Sequence, residues 1–306
     1  MQTCHVEPHK QYPPAVIALG NFDGVHIGHQ ALIRRGLEKA RSLNVDLAVL
    51  FFVPHPLTVL HPENKVQYLT DLAEKQRLLA DLGVKKALIL PFTKEFAAKS
   101  AQDFAEHFLP SLGTRHVVVG YNYTFGRLAQ GRAEDLAVFG RQYGFTVDVV
   151  PEQKIDGRRV SSTDIRQALH EGEVEKAARM LGRPYRLQGR VVAGFRRGRE
   201  LGFPTANLAV AEEMVLPSLG GYVGRVPIGS RTYGGMMNIG YNPTFEEKRR
   251  MRIEVHILDF DGDLYGQPLA VDIVGRLRPE RKFASRDDLI KQLKADRASA
   301  RQYLGL

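Results

Sequence analysis

The chain has 306 residues, a formal net charge of +9 and a hydrophobic fraction of 43 %. That is room for two domains of about 100–200 residues each, it suits anionic ligands without choosing among nucleotides, pyrophosphate or nucleic acid, and no apolar run approaches the roughly 18 residues of a membrane helix. Residues 1–14 carry two His, a Glu and three Pro rather than a signal peptide, and the single Cys4 excludes an intramolecular disulfide and a cysteine zinc cage, so a cytoplasmic protein is expected.

The first half alternates short apolar runs with helical periods. Ala15–Leu19 is a strand that ends at a glycine-rich turn, and a helix is predicted over 29–41 with Leu32, Ile33, Leu37 and Ala40 on one side. Strand 47–53 stops at Pro54-His55-Pro56, and helix 71–82 follows with Leu72, Leu78, Leu79 and Leu82 on its apolar side. Strand 87–90, helix 101–109, strands 116–119 and 146–150, and a helix over 174–181 complete the series. Continuous apolar strands alternating with helices predict a doubly wound α/β domain with a parallel sheet.

After Arg183-Pro184 the pattern changes. Strands at 186–192, 222–227, 233–239, 251–258 and 269–274 are separated by Gly-, Pro- and Asn-rich turns, which predicts a small β-barrel. A helix over 285–303, with Leu289, Ile290, Leu293 and the following Leu304 as apolar contacts, closes the chain. The expected domains are therefore 1–184 and 185–306. The densest basic cluster, Lys248-Arg249-Arg250 with Arg252, is short and reads as a solvated loop. No zinc-finger or RNP1 pattern is present, and no nucleic-acid partner is expected.

Gly20-Asn21-Phe22-Asp23-Gly24-Val25-His26-Ile27-Gly28-His29 lies between a strand and a helix. Ligands of open α/β sheets bind outside the carboxyl ends of the strands, and a helix start offers free N–H groups to phosphate. Gly20, Gly24 and Gly28 allow close backbone approach. His26 and His29, three apart, can donate to phosphate oxygens. Ser161-Ser162-Thr163-Asp164-Ile165-Arg166 begins another helix. A capping box explains Ser161 and Asp164. It leaves Arg166, which with the hydroxyls makes a candidate triphosphate clamp. In Gly120-Tyr121-Asn122-Tyr123-Thr124-Phe125-Gly126 the aromatics read as core before they read as a stacking surface.

In the second half, Thr205 and Asn207 share one face of an extended segment and offer hard oxygens of the kind Mg²⁺ takes; Pro204-Thr205-Ala206-Asn207 alone is equally an ordinary turn. Upstream, Gly194-Phe195-Arg196-Arg197-Gly198-Arg199 is a basic loop able to wrap phosphate. Along 252–257, Arg252, Glu254 and His256 alternate with Ile253, Val255 and Ile257. Glu254 is a candidate general base or a surface ion-pair partner of Arg252. Asp259-Phe260-Asp261-Gly262-Asp263 lacks EF-hand spacing and reads as a hairpin turn.

Taken together, the 20–29 string, Val118-Val119-Gly120-x-Asn122-Tyr123-x-Phe125-Gly126 and Ser161-Ser162-Thr163-x-Ile165-Arg166 resemble the adenylyltransferase module of bacterial bifunctional riboflavin kinase/FAD synthetases. Val191-Val192-x-Gly194, Gly198-x-x-Leu201-Gly202-Phe203-Pro204-Thr205-Ala206-Asn207, Asn238-Ile239-Gly240-x-Asn242-Pro243, Glu254-x-His256, Tyr265-Gly266 and Leu277-Arg278-Pro279-Glu280-x-x-Phe283 resemble the kinase module of the same family, a six-stranded barrel.

The resemblance implies phosphorylation of riboflavin to FMN by ATP, then adenylylation of FMN to FAD with release of pyrophosphate. It implies small-molecule substrates, with ATP and Mg²⁺ required and with riboflavin, FMN and FAD as substrate or product; an oligomer is possible but not indicated. His26 and His29 are then expected to stabilise phosphates, with Gly24, Gly28, Asn122, Ser162, Thr163 and Arg166 at the nucleotide. In the kinase, Thr205 and Asn207 are expected to bind Mg²⁺ and Glu254 to act as base. Gly194, Ile257, Asp259 and Tyr265 are expected at ATP, and Arg278, Arg281 and Phe283 at flavin. Three positions depart from the common bacterial pattern: Asn122, where many members carry Asp, Ala193, where His is frequent, and Phe195, where an acidic residue is frequent.

Overall fold

A computed structural model of the chain describes residues 1–7, 10–194, 198, 201–241 and 251–306. It divides into two compact units, Met1–Ser162 and Thr163–Leu306.

The first unit is built on a six-stranded sheet of β1 (Gln2–His5), β2 (Ala15–Leu19), β3 (Asp46–Phe52), β4 (Lys86–Leu90), β5 (Thr114–Gly120) and β6 (Thr146–Val150), in the order β1-β4-β3-β2-β5-β6. Every pair is parallel. β2 is buried along its whole length because its side chains feed two cores. Val16 and Ala18 join Val49, Phe51, Ile89 and Val118 on one face, against Leu32 and Ile33 of α1 (Ile27–Ser42) and Leu78 and Leu79 of α2 (Leu72–Asp81). Ile17 and Leu19 join Leu50, Leu88, Val117 and Val119 on the other, against Phe104, Leu109 and Leu136. The last of these belongs to α3 (Ala133–Tyr143). Each such side chain contributes about 1.5–3 kcal/mol on full burial, which is why the central strands read as unbroken apolar runs. The expected doubly wound parallel sheet is thus observed. Parallel strands bring the chain segments after β2, β3 and β5 to one edge.

The second unit is a closed antiparallel barrel of β7 (Tyr185–Val192), β8 (Ala206–Ala209), β9 (Gly220–Ile228), β10 (Arg231–Tyr241), β11 (Met251–Ile257) and β12 (Pro268–Pro279), in the order β7-β8-β11-β10-β9-β12. Ile253, Val255 and Ile257 are buried while Arg252, Glu254 and His256 are half-buried, the alternation expected of that strand. Outside the barrel Met236, Val223, Leu258 and Phe203 cluster with Ala300 and, partly buried, Leu293 and Leu304 of the C-terminal helix Arg286–Leu304. Ser285 caps that helix by accepting from the Asp288 amide.

The compact units differ from the expected division at 184/185 by the helices α4 (Ser162–Glu171) and α5 (Val174–Leu181); continuing the count, the C-terminal helix is α6. The physical reason lies at Arg276 of β12. Its amide donates to Glu175 (3.0 Å) and its guanidinium to the Glu171 carbonyl (3.2 Å), while Ser218 N donates to Leu169 O (3.0 Å). The α4–α5 hairpin is therefore tied to the barrel by hydrogen bonds as well as by chain continuity.

Candidate active sites

In the first unit the turn between β2 and α1 is held in an unusual backbone shape. Phe22, Gly24 and Val25 all have positive φ, at 51°, 81° and 41°. Such conformations are uncommon for Phe and an outlier for a β-branched Val. Asp23 locks them: its buried carboxylate accepts from Leu69 N (3.0 Å), Thr70 N (3.1 Å) and Thr70 Oγ1 (3.3 Å), and Thr70 Oγ1 accepts from Gly24 N (3.1 Å). Ser162 Oγ donates to the Asp23 carbonyl at 2.9 Å, which brings the expected hydroxyl onto the loop. Lys75 Nζ donates to the Asn21 carbonyl at 2.8 Å.

His26 and His29 meet as expected of their spacing. His26 is the N-cap of α1, and its Nδ1 accepts the His29 N–H (3.3 Å). With Nδ1 an acceptor, the neutral ring carries its proton on Nε2, which is then a donor. The rings stack, centroids 3.7 Å apart and 18° from parallel. A Cβ on Gly28 would lie 3.0–3.1 Å from the His26 ring, so glycine there leaves room for the stack. His29 titrates well below the ordinary range, first because it is buried, then because His26 and Lys75 lie beside it. Its Nδ1 is buried without a hydrogen-bond partner.

Asn122 is exposed in the turn after β5, at the sheet edge that also carries the β2 turn. Gly120 approaches it closely, with an added Cβ 3.4 Å from its Oδ1. Phe125 is core and Tyr123 packs on that core, whereas Tyr121 is exposed. Thr163 and Arg166 stand on α4, exposed and half-buried respectively. Sequence reasoning gave no role to Asp23, Thr70, Lys75 or His55. The last follows β3, and its Nε2 lies 3.2 Å from the Asn21 side-chain amide. Its place in Pro54-His55-Pro56 at a strand end was the available signal.

In the second unit one row of residues crosses five strands of the barrel. Asn207 of β8 pairs with Glu254 of β11, Glu254 with Asn238 of β10, Asn238 with Gly221 of β9, and Gly221 with Arg278 of β12. Directly paired residues share a face of the sheet, so two amides, a carboxylate and a guanidinium line one side. Two glycines close on this row. A Cβ on Gly194 would fall 2.1 Å from Asn207 Nδ2, and one on Gly198 would fall 2.4 Å from the Phe203 carbonyl and 3.1 Å from Thr205 Oγ1. His256 Nδ1 donates to the Pro204 carbonyl (2.8 Å), and its ring meets Phe203 edge-on at 5.4 Å. Asn207 and Glu254 are thus brought together, while Thr205 lies just before β8, beside Gly198. Asn238, quoted only as part of a string, is the partner that sequence reasoning passed over.

Next to this row lies a depression of about 550 Å³ lined in part by His256, Ile257, Asp259, Phe260, Arg297 and Arg301. It gathers two of the expected nucleotide residues, Ile257 and Asp259; Arg301 Nη1 holds the Asp259 carboxylate at 2.8 and 3.1 Å. Tyr265 is half exposed in the turn before β12, its amide donating to Asp263 (2.9 Å), and does not line that depression. The expected flavin residues do meet: the guanidinium carbons of Arg281 and Arg278 lie 4.9 and 5.8 Å from the Phe283 ring centre. Helix α6 holds them in place. Arg278 Nε donates to buried Asp296 (2.8 Å), Gln292 Nε2 donates to the same carboxylate (2.7 Å), and Arg281 donates to Gln292 Oε1 (3.0 Å). Phe195, Asn242, Pro243 and Lys248-Arg249-Arg250 lie outside the described residues.

Two family models match the chain, FAD synthetase over residues 9–164 and riboflavin kinase over residues 181–304. Proteins named bifunctional riboflavin kinase/FMN adenylyltransferase are similar over nearly their whole length. The one from Listeria monocytogenes is 42 % identical over 94 % of this chain and 92 % of its own. That of Bacillus subtilis is 35 % identical over 99 % and 98 %, and that of Escherichia coli K12 38 % over 95 % and 93 %. A solved structure described as a macrolide-efflux protein from Streptococcus pneumoniae superposes with a TM-score of 0.90 at 35 % identity, covering 98 % of both chains. Among the described residues of the present chain no helix is long and apolar enough to cross a membrane.

Proposed function

The chain belongs to the family of bifunctional riboflavin kinase/FMN adenylyltransferases, and we infer from that membership and from the two sites that it converts riboflavin to FMN and FMN to FAD. The observation that carries the kinase assignment is the direct pairing of Asn207 with Glu254 on the barrel.

In the first reaction the ribityl hydroxyl oxygen attacks the γ-phosphorus of ATP and ADP leaves. Glu254, fixed on a strand between two amide side chains, takes the hydroxyl proton. Thr205 Oγ1 and Asn207 Oδ1 are the hard donors that fit Mg²⁺; glycine at 194 and 198 leaves beside them a cradle that a Cβ would fill. Mg²⁺ held by these two side chains would supply charge neutralisation at the phosphates. Gly194, Ile257, Asp259 and Tyr265 are assigned to ATP, and Arg278, Arg281 and Phe283 to the flavin, the two guanidinium groups against the Phe283 ring supporting a flat aromatic ligand there.

In the second reaction an FMN phosphate oxygen attacks the α-phosphorus of a second ATP and pyrophosphate leaves. No protein nucleophile is needed, so positioning and charge stabilisation carry the catalysis. The Gly24 and Gly28 backbone and the His26 and His29 rings are assigned to the phosphates, with Asn122 at the nucleotide or flavin, and Ser162, Thr163 and Arg166 to the triphosphate. Asn122, with no charge, serves as a hydrogen-bonding group rather than a metal ligand. We assign residues 1–184 to adenylylation and 185–306 to phosphorylation, with small-molecule partners and a cytoplasmic setting.

Feeding riboflavin and FMN separately with ATP and Mg²⁺, and resolving the flavins by chromatography, tests both halves. FMN and FAD from the first feed and FAD from the second are expected. A chain that makes only one of these products would have one live site.

A further inference from the structure

Lys75 stands in the first turns of α2, the helix capped by Asp71. It is 7 % exposed, and a lysine is almost never so buried unless it is paired. Its Nζ donates to the Asn21 carbonyl at 2.8 Å and lies 4.9 Å from the centre of the Phe51 ring. The neighbouring acid, Glu74, is engaged by Arg77 through two hydrogen bonds of 2.8 and 2.7 Å. Burial lowers the affinity of Lys75 for its proton and Asp23, in the same loop, restores part of it.

The loop that Lys75 touches is the strained one. Left-handed conformations at Phe22 and Val25 are strained and persist only where surrounding contacts over-determine them. Residues 69–75 supply a set of those contacts: Leu69 and Thr70 hold the Asp23 carboxylate, Thr70 holds Gly24, and Lys75 holds Asn21, beside Ser162 at the Asp23 carbonyl and His55 at the Asn21 amide. We propose that Lys75 is a positioning residue for adenylyl transfer, acting through the Asn21 carbonyl and through its charge on the loop that carries His26 and His29. The inference rests on the adenylyltransferase reading of this site.

Charge and reach act together. The titratable groups facing His29 are His26, stacked on it, and Lys75; Asp23 lies in the same loop, and His55 meets the loop at Asn21. Removing the Lys75 charge removes one of the causes that hold His29 neutral, while its burial remains.

The test is Lys75→Met in the full chain. Its kcat for FAD formation from FMN is expected to fall about tenfold or more, with the KM for FMN within about twofold. Riboflavin phosphorylation, measured on the same preparation, stays within about twofold of wild type. The His29 ring titration, followed by NMR, moves upward, which a purely structural contact would not produce. Should Lys75→Met unfold the N-terminal unit, Lys75→Gln keeps a donor and loses the charge, and the same drop and the same upward movement are expected. Wild-type adenylylation, or a His29 titration that stays in place, in a folded variant overturns the proposal. A wild-type chain that makes no FAD from FMN would instead overturn the reading on which it rests.

Discussion

Asn207 and Glu254 face each other directly across two antiparallel strands, and Asn238 faces Glu254 from the other side. A carboxylate on a rigid strand between two amides suits the single proton transfer proposed for it, with Asn207 in the adjoining strand. Glu254→Gln keeps the shape and loses the base. FMN formation is expected to fall by about 10²–10⁴, while FAD synthesis from supplied FMN stays at wild-type rate. Equal losses of both activities in a folded variant would contradict separate sites.

Gly194 tests the other side of the same pair. A Cβ there would lie 2.1 Å from Asn207 Nδ2 and 2.6 Å from its Cγ, so Gly194→Ala displaces the Asn207 side chain. Displacement of about 1 Å is enough for a loss approaching 10²-fold. Steady-state phosphorylation of riboflavin should show that loss, with the FMN-fed reaction untouched. A fully active Gly194→Ala would show that Asn207 does not work in the position it occupies.

His29→Ala removes one of the stacked rings from the helix start. Loss of one preorganised donor costs about 10²–10³ in rate, so FAD formation from FMN should fall by that amount and riboflavin phosphorylation should not. An unchanged FAD yield would remove His29 from the site.

Three histidines, His29, His116 and His256, titrate below the ordinary value of 6.5, each first because of burial. The unfolded chain then binds protons more readily than the folded one as pH falls below about 6.5. Stability is full above that pH and declines below it, towards the lowered folded values. Thermal melts at pH 7.5 and 5.5 should show the decline, and His29→Gln should flatten it. A melting temperature that rises on acidification would reverse the sign.

Leu128 has φ 56° and is 86 % exposed in the turn after Gly126. A left-handed non-glycine residue costs roughly 1–2 kcal/mol, of which glycine's extra unfolded freedom cancels roughly 0.5–1 kcal/mol. Leu128→Gly is therefore expected to leave stability unchanged or raise it by up to about 1.5 kcal/mol in denaturant titration. A clear loss would mean that the leucine makes a contact its exposure denies.

Much of this was legible before the fold was known, and the gaps have physical causes. The central strands announce themselves because burial on both faces demands unbroken apolar runs, as in Val16-Ile17-Ala18-Leu19. β1 gives no such signal, since Gln2–His5 is an edge strand whose side chains stay largely in contact with solvent. β8 is only Ala206–Ala209 and lies inside a stretch equally readable as a turn. α3 buries a single large side chain, Leu136, with Ala133 and Gly140, too little for a helical period to stand out. The histidine pair and the Thr205, Asn207 pair are visible because their spacing is local, and Glu254 because it stands on a cleanly alternating strand. Lys75 and Asp23 are not, because a charged residue reads as surface until a partner 47 or 54 residues away is seen to meet it.

The central claim is that two different reactions run in sequence on one flavin. A time course with riboflavin, ATP and Mg²⁺, following flavins, ADP and pyrophosphate together, tests it most directly. FMN should rise and then fall as FAD accumulates, with one ADP and one pyrophosphate released per FAD formed. FAD that appears without ADP release, or FMN that accumulates with no pyrophosphate at all, would contradict the account.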